Sequence, residues 1–389
     1  MTTIKSIDAR MSAQLNAREL KGRRRCLAIY AGHDFCSNDY LGLARSEQQA
    51  QGLVSSGSTG SRLVSGNSVL VEQFECEAAQ FHGMENSLLF SSGYAANTGL
   101  LSCIAQHDDL LILDSLAHAS LIDGARLSRA SHRYFNHNDL PDLKRILDEF
   151  NLNRSSVEQR AFVVVESLYS MDGDCAPLIE LAALCRQSNA SLIVDEAHAI
   201  GVYGNEGAGL VAQHGLQPDV FAVIFTYGKA MGRHGAIVAG SHTLRDYLIN
   251  YCRPFIYTTA PSPESVQGLI NSYQVMRKAD AARQSLQANV LYFKQQVVSM
   301  SFCGAQWLDS SSPIQALIIG HTERAKALAQ QCHEAGFALK AITSPTVPKG
   351  SDRIRICLHA HNTHEQINSF VNILQANITL LQDGSEVLK

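Results

Sequence analysis

The sequence predicts an α/β fold: a large domain built on a mostly parallel sheet, followed by a smaller C-terminal α+β domain. Three observations carry this reading. From about residue 85 to 240, short β-branched apolar runs alternate with polar or glycine turns and helical stretches. That alternation marks a parallel sheet covered on both faces. From about residue 275 a long helical stretch gives way to short strands and two further helices, a different texture. With 389 residues, 46% of them hydrophobic and 17% charged, the chain is globular and long enough for more than one core.

Taken in order, an N-terminal segment, 1–45, opens with a helix over about 1–30. It ends in the basic stretch Lys21-Gly22-Arg23-Arg24-Arg25. A solvated helix terminus accounts for such a stretch. A phosphate-facing patch, with Arg23 as a candidate substrate-binding residue, is the sharper alternative. The large domain, 46–275, begins with a compact polar loop from Ser55 to Gly66. Its strands are expected at Leu110–Leu113, Phe162–Val165, Leu192–Val194 and Val220–Phe225. In the C-terminal domain, 276–389, one helix is expected from Tyr273 to Val298, which overlaps the boundary. Strands at Ala316–Ile319 and Arg353–Leu358 follow, with helices at Glu323–Ala335 and Glu365–Leu381.

Charge and cysteine usage narrow the function. Lys and Arg total 32 against 36 Asp and Glu, a net charge of −4 and no basic excess for gripping nucleic acid. No run of about 18 apolar residues spans a membrane, and residues 1–20 lack the apolar core of a secretory signal. Ten cysteines are scattered without a Cys-x-x-Cys pair. They read as reduced thiols, with no zinc site, in a cytoplasmic enzyme.

Ligands of such sheets bind beyond the carboxyl ends of the strands. There the sequence places Ser170, Asp195 with His198, and Thr226 with Lys229. In Thr226-Tyr227-Gly228-Lys229-Ala230-Met231-Gly232 the lysine follows an apolar strand and is flanked by glycines. Desolvation lowers the pKa of a buried or half-buried amine, as a Schiff-base lysine requires. On the heptapeptide alone an ordinary surface lysine fits equally. Asp195, closing Ser191-Leu192-Ile193-Val194, needs a partner to offset its burial. A pyridinium nitrogen, whose protonation makes pyridoxal phosphate an electron sink, is such a partner. The Asp195-Glu196-Ala197-His198 string also occurs in a helicase family. The phosphate loop that activity needs is absent: Val223 stands where its first glycine would be, and Ala230 follows Gly228-Lys229. Ser91-Ser92-Gly93-Tyr94-Ala95-Ala96-Asn97 is a small-residue turn opening a helix, whose free N–H groups suit a phosphate. His118, in Asp114-Ser115-Leu116-Ala117-His118-Ala119-Ser120, is able to stack on a planar ring.

Together the motifs resemble a known family, the α-oxoamine synthases. They are Ser37-Asn38-Asp39-Tyr40-Leu41-Gly42, Ser92 to Asn97, His118-Ala119-Ser120, Met171-Asp172-Gly173, Asp195 to His198, Thr226 to Lys229 and Pro345-Thr346-Val347-Pro348. Their order and spacing are the family's over nearly the whole chain. The resemblance implies a pyridoxal 5'-phosphate-dependent acyltransferase of aminotransferase fold type I. Lys229 then carries the cofactor as an imine, Asp195 pairs with the ring nitrogen, and His118 stacks on the ring. Ser170 and His198 lie near the ring hydroxyl, while Gly93, Tyr94 and Thr226 hold the phosphate. Asn38 and Arg355 are similar to residues that bind the amino-acid carboxylate. Arg353 and Arg355 share one face of a period-2 strand, so the pattern alone leaves both open; motif position favours Arg355. Ile256-Tyr257-Thr258-Thr259-Ala260-Pro261 resembles the segment that crosses a homodimer, so Thr258 or Thr259 is expected to meet the partner's cofactor phosphate. Leu121 to Ser128 and Phe135 to Leu140 look most like the member of biotin biosynthesis, which condenses L-alanine with pimeloyl-CoA or a pimeloyl-carrier protein. The alternatives are glycine-using sister enzymes, 2-amino-3-ketobutyrate ligase and 5-aminolevulinate synthase, or a non-catalytic scaffold of the same fold. Such a scaffold is marked by loss of the lysine, and Lys229 is present. Two departures stand out: Ala199 where the family usually has glycine, and Tyr227 where phenylalanine is common.

Overall fold

The computed structural model describes residues 2–20, 24, 27, 56–298, 300 and 304–383. Among them the chain divides into two compact units, Met1–Ser167 with Ala176–Lys278, and Leu168–Cys175 with Ala279–Lys389.

The first unit is built on a seven-stranded sheet. In chain order its strands are β1 (Asn86–Phe90), β2 (Leu110–Asp114), β3 (Ser131–Phe135), β4 (Ala161–Glu166), β5 (Ser191–Asp195), β6 (Val220–Thr226) and β7 (Ala236–Gly240). Across the sheet they run β1-β7-β6-β5-β4-β2-β3. The four pairings from β6 to β3 are parallel, and β7 is antiparallel to both neighbours. Every residue of β2, β4, β5 and β6 is buried. Helices cover both faces of such strands, and continuous apolar runs are the result. Those four strands are the ones the sequence predicts. It does not predict the other three. β3 is an edge strand reading Ser-His-Arg-Tyr-Phe, with a mostly accessible surface. β7, Ala-Ile-Val-Ala-Gly, is as long and as buried as β2 and β5 but is made largely of small residues and pairs with β6 as a hairpin.

Serine and aspartate caps start the covering helices. Ser68, Ser92, Asp139, Ser241 and Ser262 each accept a backbone N–H from the first turn. The N-terminal helix, Thr2–Leu20, buries Ile7, Met11 and Leu15 at four-residue spacing, and Arg10 pairs with Asp109 at 2.9 Å. The stretch 56–66 is a loop. Within it Arg62 is buried and makes a two-pronged pair with Glu75 at 2.7 and 3.1 Å.

The second unit carries a four-stranded antiparallel sheet, β8 (Gln306–Trp307), β9 (Ile314–Ile318), β10 (Lys340–Ile342) and β11 (Arg353–Cys357), in the order β10-β11-β9-β8. Helices Thr322–Glu334 and His364–Asp383 lie where the sequence places them. The expected single helix from Tyr273 to Val298 is corrected. Two helices, Pro263–Arg277 and Asp280–Val297, meet at Lys278-Ala279, the boundary between units. Their buried stripes serve different cores: Val266, Leu269, Tyr273 and Met276 in one, Val290, Phe293 and Val297 in the other. One straight helix has a single apolar face, so the break lets each stripe follow its own core. Among the described residues no helix is long and apolar enough to cross a membrane.

Candidate active site

Sheet register sets out the site along one edge of the first sheet. Phe90 and Thr226 both face Ala236 of β7, and Glu166 of β4 faces Asp195 of β5. The strand ends therefore present, in order, the turn after β1, the loop before β7, Thr226, Asp195 and Glu166. A cavity of about 280 Å³ opens there. Its lining gathers seven of the expected residues, Gly93, Tyr94, His118, Asp195, His198, Thr226 and Lys229.

At one end the helix Gly93–Ile104 begins. Ser92 caps it by accepting from Ala95 N, which leaves the N–H groups of Gly93 and Tyr94 pointing outward for an external acceptor. A Cβ on Gly93 would come within 2.5 Å of Thr226 Cγ2, so glycine is what lets this terminus close on the strand. Thr226 is 7% exposed, yet its Oγ1 has no hydrogen-bond partner. A buried hydroxyl left unmatched beside two outward N–H groups fits an oxyanion ligand.

At the other end the acids are held by a hydrogen-bond network. Asp195, 4% exposed, accepts Ala197 N on Oδ1 at 2.8 Å and Asn97 Nδ2 on Oδ2 at 2.7 Å. Asn97 spends its second amide hydrogen on Ser120 Oγ at 2.9 Å. Ser120 in turn meets His118 Nδ1, at 2.7 Å from its hydroxyl and 3.2 Å from its backbone N–H. Because Nδ1 accepts that N–H, the ring proton of neutral His118 sits on Nε2. Burial holds the imidazole below its ordinary pKa, with Asp195 pulling the other way and Lys229 adding to the drop. Glu166 accepts His118 N at 2.7 Å. Its carboxyl is pushed up to about 8, first by burial and then by the charge of Asp195. At neutral pH Glu166 is thus mostly the uncharged neighbour of an adjacent carboxylate.

Lys229 departs from expectation. It lies exposed in the turn after β6, with Gly228 and Ala230 exposed beside it. This chain supplies no burial to desolvate the amine, so that part of the sequence argument is corrected. In that turn Gly232, in the left-handed region at φ +60°, donates to Lys229 O.

The remaining expected residues lie elsewhere. Ser170 belongs to the Leu168–Cys175 segment of the second unit, where its carbonyl accepts Arg355 Nε at 2.6 Å. Thr258 is half-buried and Thr259 exposed, after the short helix Arg253–Ile256, and neither lines the cavity. Arg353 is buried and committed, pairing with Asp172 and donating to Ser351 O. Arg355 is half-buried. Arg23, Asn38 and the rest of the Ser37–Gly42 motif lie outside the described residues.

Sequence reasoning assigned no role to Asn97, Ser120, Glu166 or His234, all of which line the cavity. Asn97 and Ser120 stand inside quoted motifs. Glu166 ends an apolar run just as Asp195 does, and that signal could have found it. The two departures from the family pattern are accommodated. Among the described residues, the non-glycine positions at positive φ are Asn138, Asn189 and Glu206, and Ala199 is not one of them. The Tyr227 hydroxyl meets Tyr273 OH at 3.1 Å, and Tyr273 OH meets His82 Nε2 at 2.9 Å.

Known proteins are similar to this chain over most of its length. An 8-amino-7-oxononanoate synthase of Cellvibrio japonicus (strain Ueda107) is 41% identical over 347 residues, 87% of this chain and 85% of the relative. A solved 8-amino-7-oxononanoate synthase from Francisella tularensis superposes with a TM-score of 0.71 at 27% identity, covering 90% of this chain and 98% of that one. A serine palmitoyltransferase variant from S. paucimobilis, with a bound PLP–myriocin aldimine, gives a TM-score of 0.79 at 26% identity over 96% of this chain and 98% of that one. The profile of aminotransferase class I and II matches residues 32–374, a span that holds every residue lining the cavity, and the chain belongs to that family.

Proposed function

We propose that the chain is a pyridoxal 5'-phosphate enzyme with 8-amino-7-oxononanoate synthase activity, condensing L-alanine with a pimeloyl thioester and releasing carbon dioxide and the thiol. The observation that carries it is one cavity holding an amine, a buried carboxylate and an unmatched buried hydroxyl at a helix N-terminus. The similarity to an 8-amino-7-oxononanoate synthase at 41% identity supports the choice of reaction.

When bound, the cofactor supplies an aldehyde for amines and a pyridinium ring that draws electrons from the substrate Cα. The Gly93 and Tyr94 N–H groups and Thr226 Oγ1 would hold its phosphate. Asp195 would keep a proton on the ring nitrogen. Each of its oxygens already accepts one hydrogen bond, and the Asn97 and Ala197 bonds fix the carboxylate's orientation. His118 would cover one face of the ring, its tautomer set by Ser120. Lys229 Nζ would anchor the cofactor, and the same amine, when free, would be the group to take the α-proton. Arg355, with Asn38, would clamp the substrate carboxylate; that clamp selects which Cα bond aligns for cleavage.

The test is product formation with single amino acids and a pimeloyl thioester. The reading expects 8-amino-7-oxononanoate from L-alanine. Turnover with glycine instead of alanine would favour the sister activities, and none with either would favour a scaffold.

The proposed assembly is a homodimer with shared sites, in which Thr258 or Thr259 serves the partner's cofactor phosphate. Their position off the cavity of their own chain supports this. A chain carrying Lys229→Ala is mixed with one carrying Thr258→Ala and Thr259→Ala. Shared sites leave one intact site per mixed dimer, and activity returns; if the threonines serve their own chain, mixing restores nothing.

A further inference from the structure

We propose that His234 is a ligand of the cofactor phosphate, the ionisable donor at that end of the cavity. This rests on the pyridoxal-phosphate reading above and extends it to a residue that no motif marked. The loop joining β6 to β7 carries both Lys229 and His234. Tyr227 closes it, its N donating to Gly235 O at 2.9 Å and its carbonyl accepting Arg233 N at 2.6 Å. Since Ala236 pairs with Phe90 on one side and Thr226 on the other, the His234-Gly235 arm emerges between the end of β1 and the end of β6. The end of β1 leads directly into Ser92 and the helix N-terminus at Gly93. Gly235 lies against it closely: a Cβ there would be 3.1 Å from Phe90 O. His234 thereby lines the same cavity as the outward N–H groups of Gly93 and Tyr94 and the unmatched Thr226 hydroxyl.

Charge gives the second argument. A phosphate monoester carries close to two negative charges at neutral pH. The cavity lining contains no arginine, and its lysine is the residue that bonds the cofactor's aldehyde. His118 is tied to Asp195 through Ser120 and Asn97, and His198 follows Asp195 by three residues in the chain. His234 is exposed and, among the described residues, no side chain or backbone group is hydrogen-bonded to its ring. A phosphate beside it would give that ring its hydrogen-bond partner.

The experiment titrates the full-length protein, freed of cofactor, with pyridoxal phosphate and with pyridoxal, which lacks the phosphate. It is run on the wild type, His234→Ala and His234→Gln, and followed by the yellow absorbance. Loss of one charge-assisted hydrogen bond should weaken pyridoxal phosphate binding by about tenfold in His234→Ala while pyridoxal stays within about twofold. His234→Gln, a neutral donor, should fall between. The ³¹P resonance of the loaded protein should also move in the alanine variant. Unchanged pyridoxal phosphate binding, or equal losses with both ligands, overturns the assignment. A loss confined to KM for a coenzyme A thioester, absent with a phosphate-free thioester, overturns it too and puts the imidazole on the substrate's phosphates. A wild type that takes up no pyridoxal phosphate sinks the cofactor reading itself, which is a separate result.

Discussion

The two sheets carry their charge in opposite ways. In the seven-stranded sheet the acids Glu166 and Asp195 are the last residues of β4 and β5, strands buried along their whole length. In the four-stranded sheet the arginines belong to β11, Arg353 at its first position and Arg355 at its centre, alternating with the buried Ile354 and Ile356. A sheet covered by helices on both faces has no room for charge along its strands, so its chemistry moves to the strand ends. An antiparallel sheet with one face open to polar partners can carry charge in mid-strand. The first arrangement fixes its groups by backbone register; the second leaves each side chain to find its own partner.

The largest effects should come from the register-fixed end. Lys229→Ala should give a colourless protein with turnover reduced by at least about 10²–10⁴, because the anchoring amine and the proton acceptor are lost together. A variant that still yields a borohydride-stable bond between cofactor and the 228–232 turn would break the assignment. Asp195→Asn comes next. The amide leaves the ring nitrogen unprotonated, and it sets an NH₂ group against donors at Asn97 or Ala197. Cofactor should still bind, while exchange of the substrate α-proton slows far more than binding weakens. Exchange at the wild-type rate would give Asp195 another task.

That same contrast governed what could be read from the sequence. β2, β4, β5 and β6 are legible because double-sided burial writes them as unbroken apolar runs. Asp195, Thr226 and Lys229 are legible because they stand where those runs stop. Glu166 stands in the same kind of place, but no motif residue adjoined it to draw attention. The Asn97–Ser120–His118 chain was hidden for a different reason. It joins two helix starts far apart in sequence, and spacing along the chain carries no trace of such a contact. Lys229 shows the converse error: a strand end guarantees position but not burial, and this amine is exposed. The helix break at Lys278-Ala279 was illegible because neither residue is a helix breaker, and only the change of core on either side explains it.

The arginine pair sharpens the comparison at intermediate size. Arg353 is 4% exposed and holds Asp172, while Arg355 donates from Nε to Ser170 O. Arg355→Ala should therefore raise the KM for the amino acid by about tenfold or more, the cost of a desolvated charge-assisted bond at roughly 1.5–3 kcal/mol. Arg353→Ala should instead lower stability by a similar amount, through the unpaired Asp172, and change that KM little. Denaturation midpoints and KM values on both variants separate the two roles; equal KM effects would undo the distinction.

The smallest expected effect concerns Glu166 and the pH dependence of stability. Its carboxyl is raised from 4.5 to about 8 in the folded chain, by burial first and by Asp195 second. Between those values the folded chain keeps the proton and the unfolded chain releases it. The stabilisation is complete below about pH 4.5 and is lost as pH rises through about 8. Stability therefore falls with rising pH across this window, by at most about 1.4 kcal/mol per unit from this group. Glu196, raised to about 7 by burial, adds the same sign over a narrower range, so the raw profile of the wild type does not isolate either acid. Glu166→Gln does. The amide oxygen can still accept His118 N–H, the group no longer titrates, and the variant's profile should be flatter between pH 5 and 7.5. Urea midpoints of the cofactor-free chain, taken at half-unit steps, measure the difference. Parallel profiles for the two proteins would mean that Glu166 is ionised beside Asp195 in the folded state, and that the strand ends tolerate two adjacent charges.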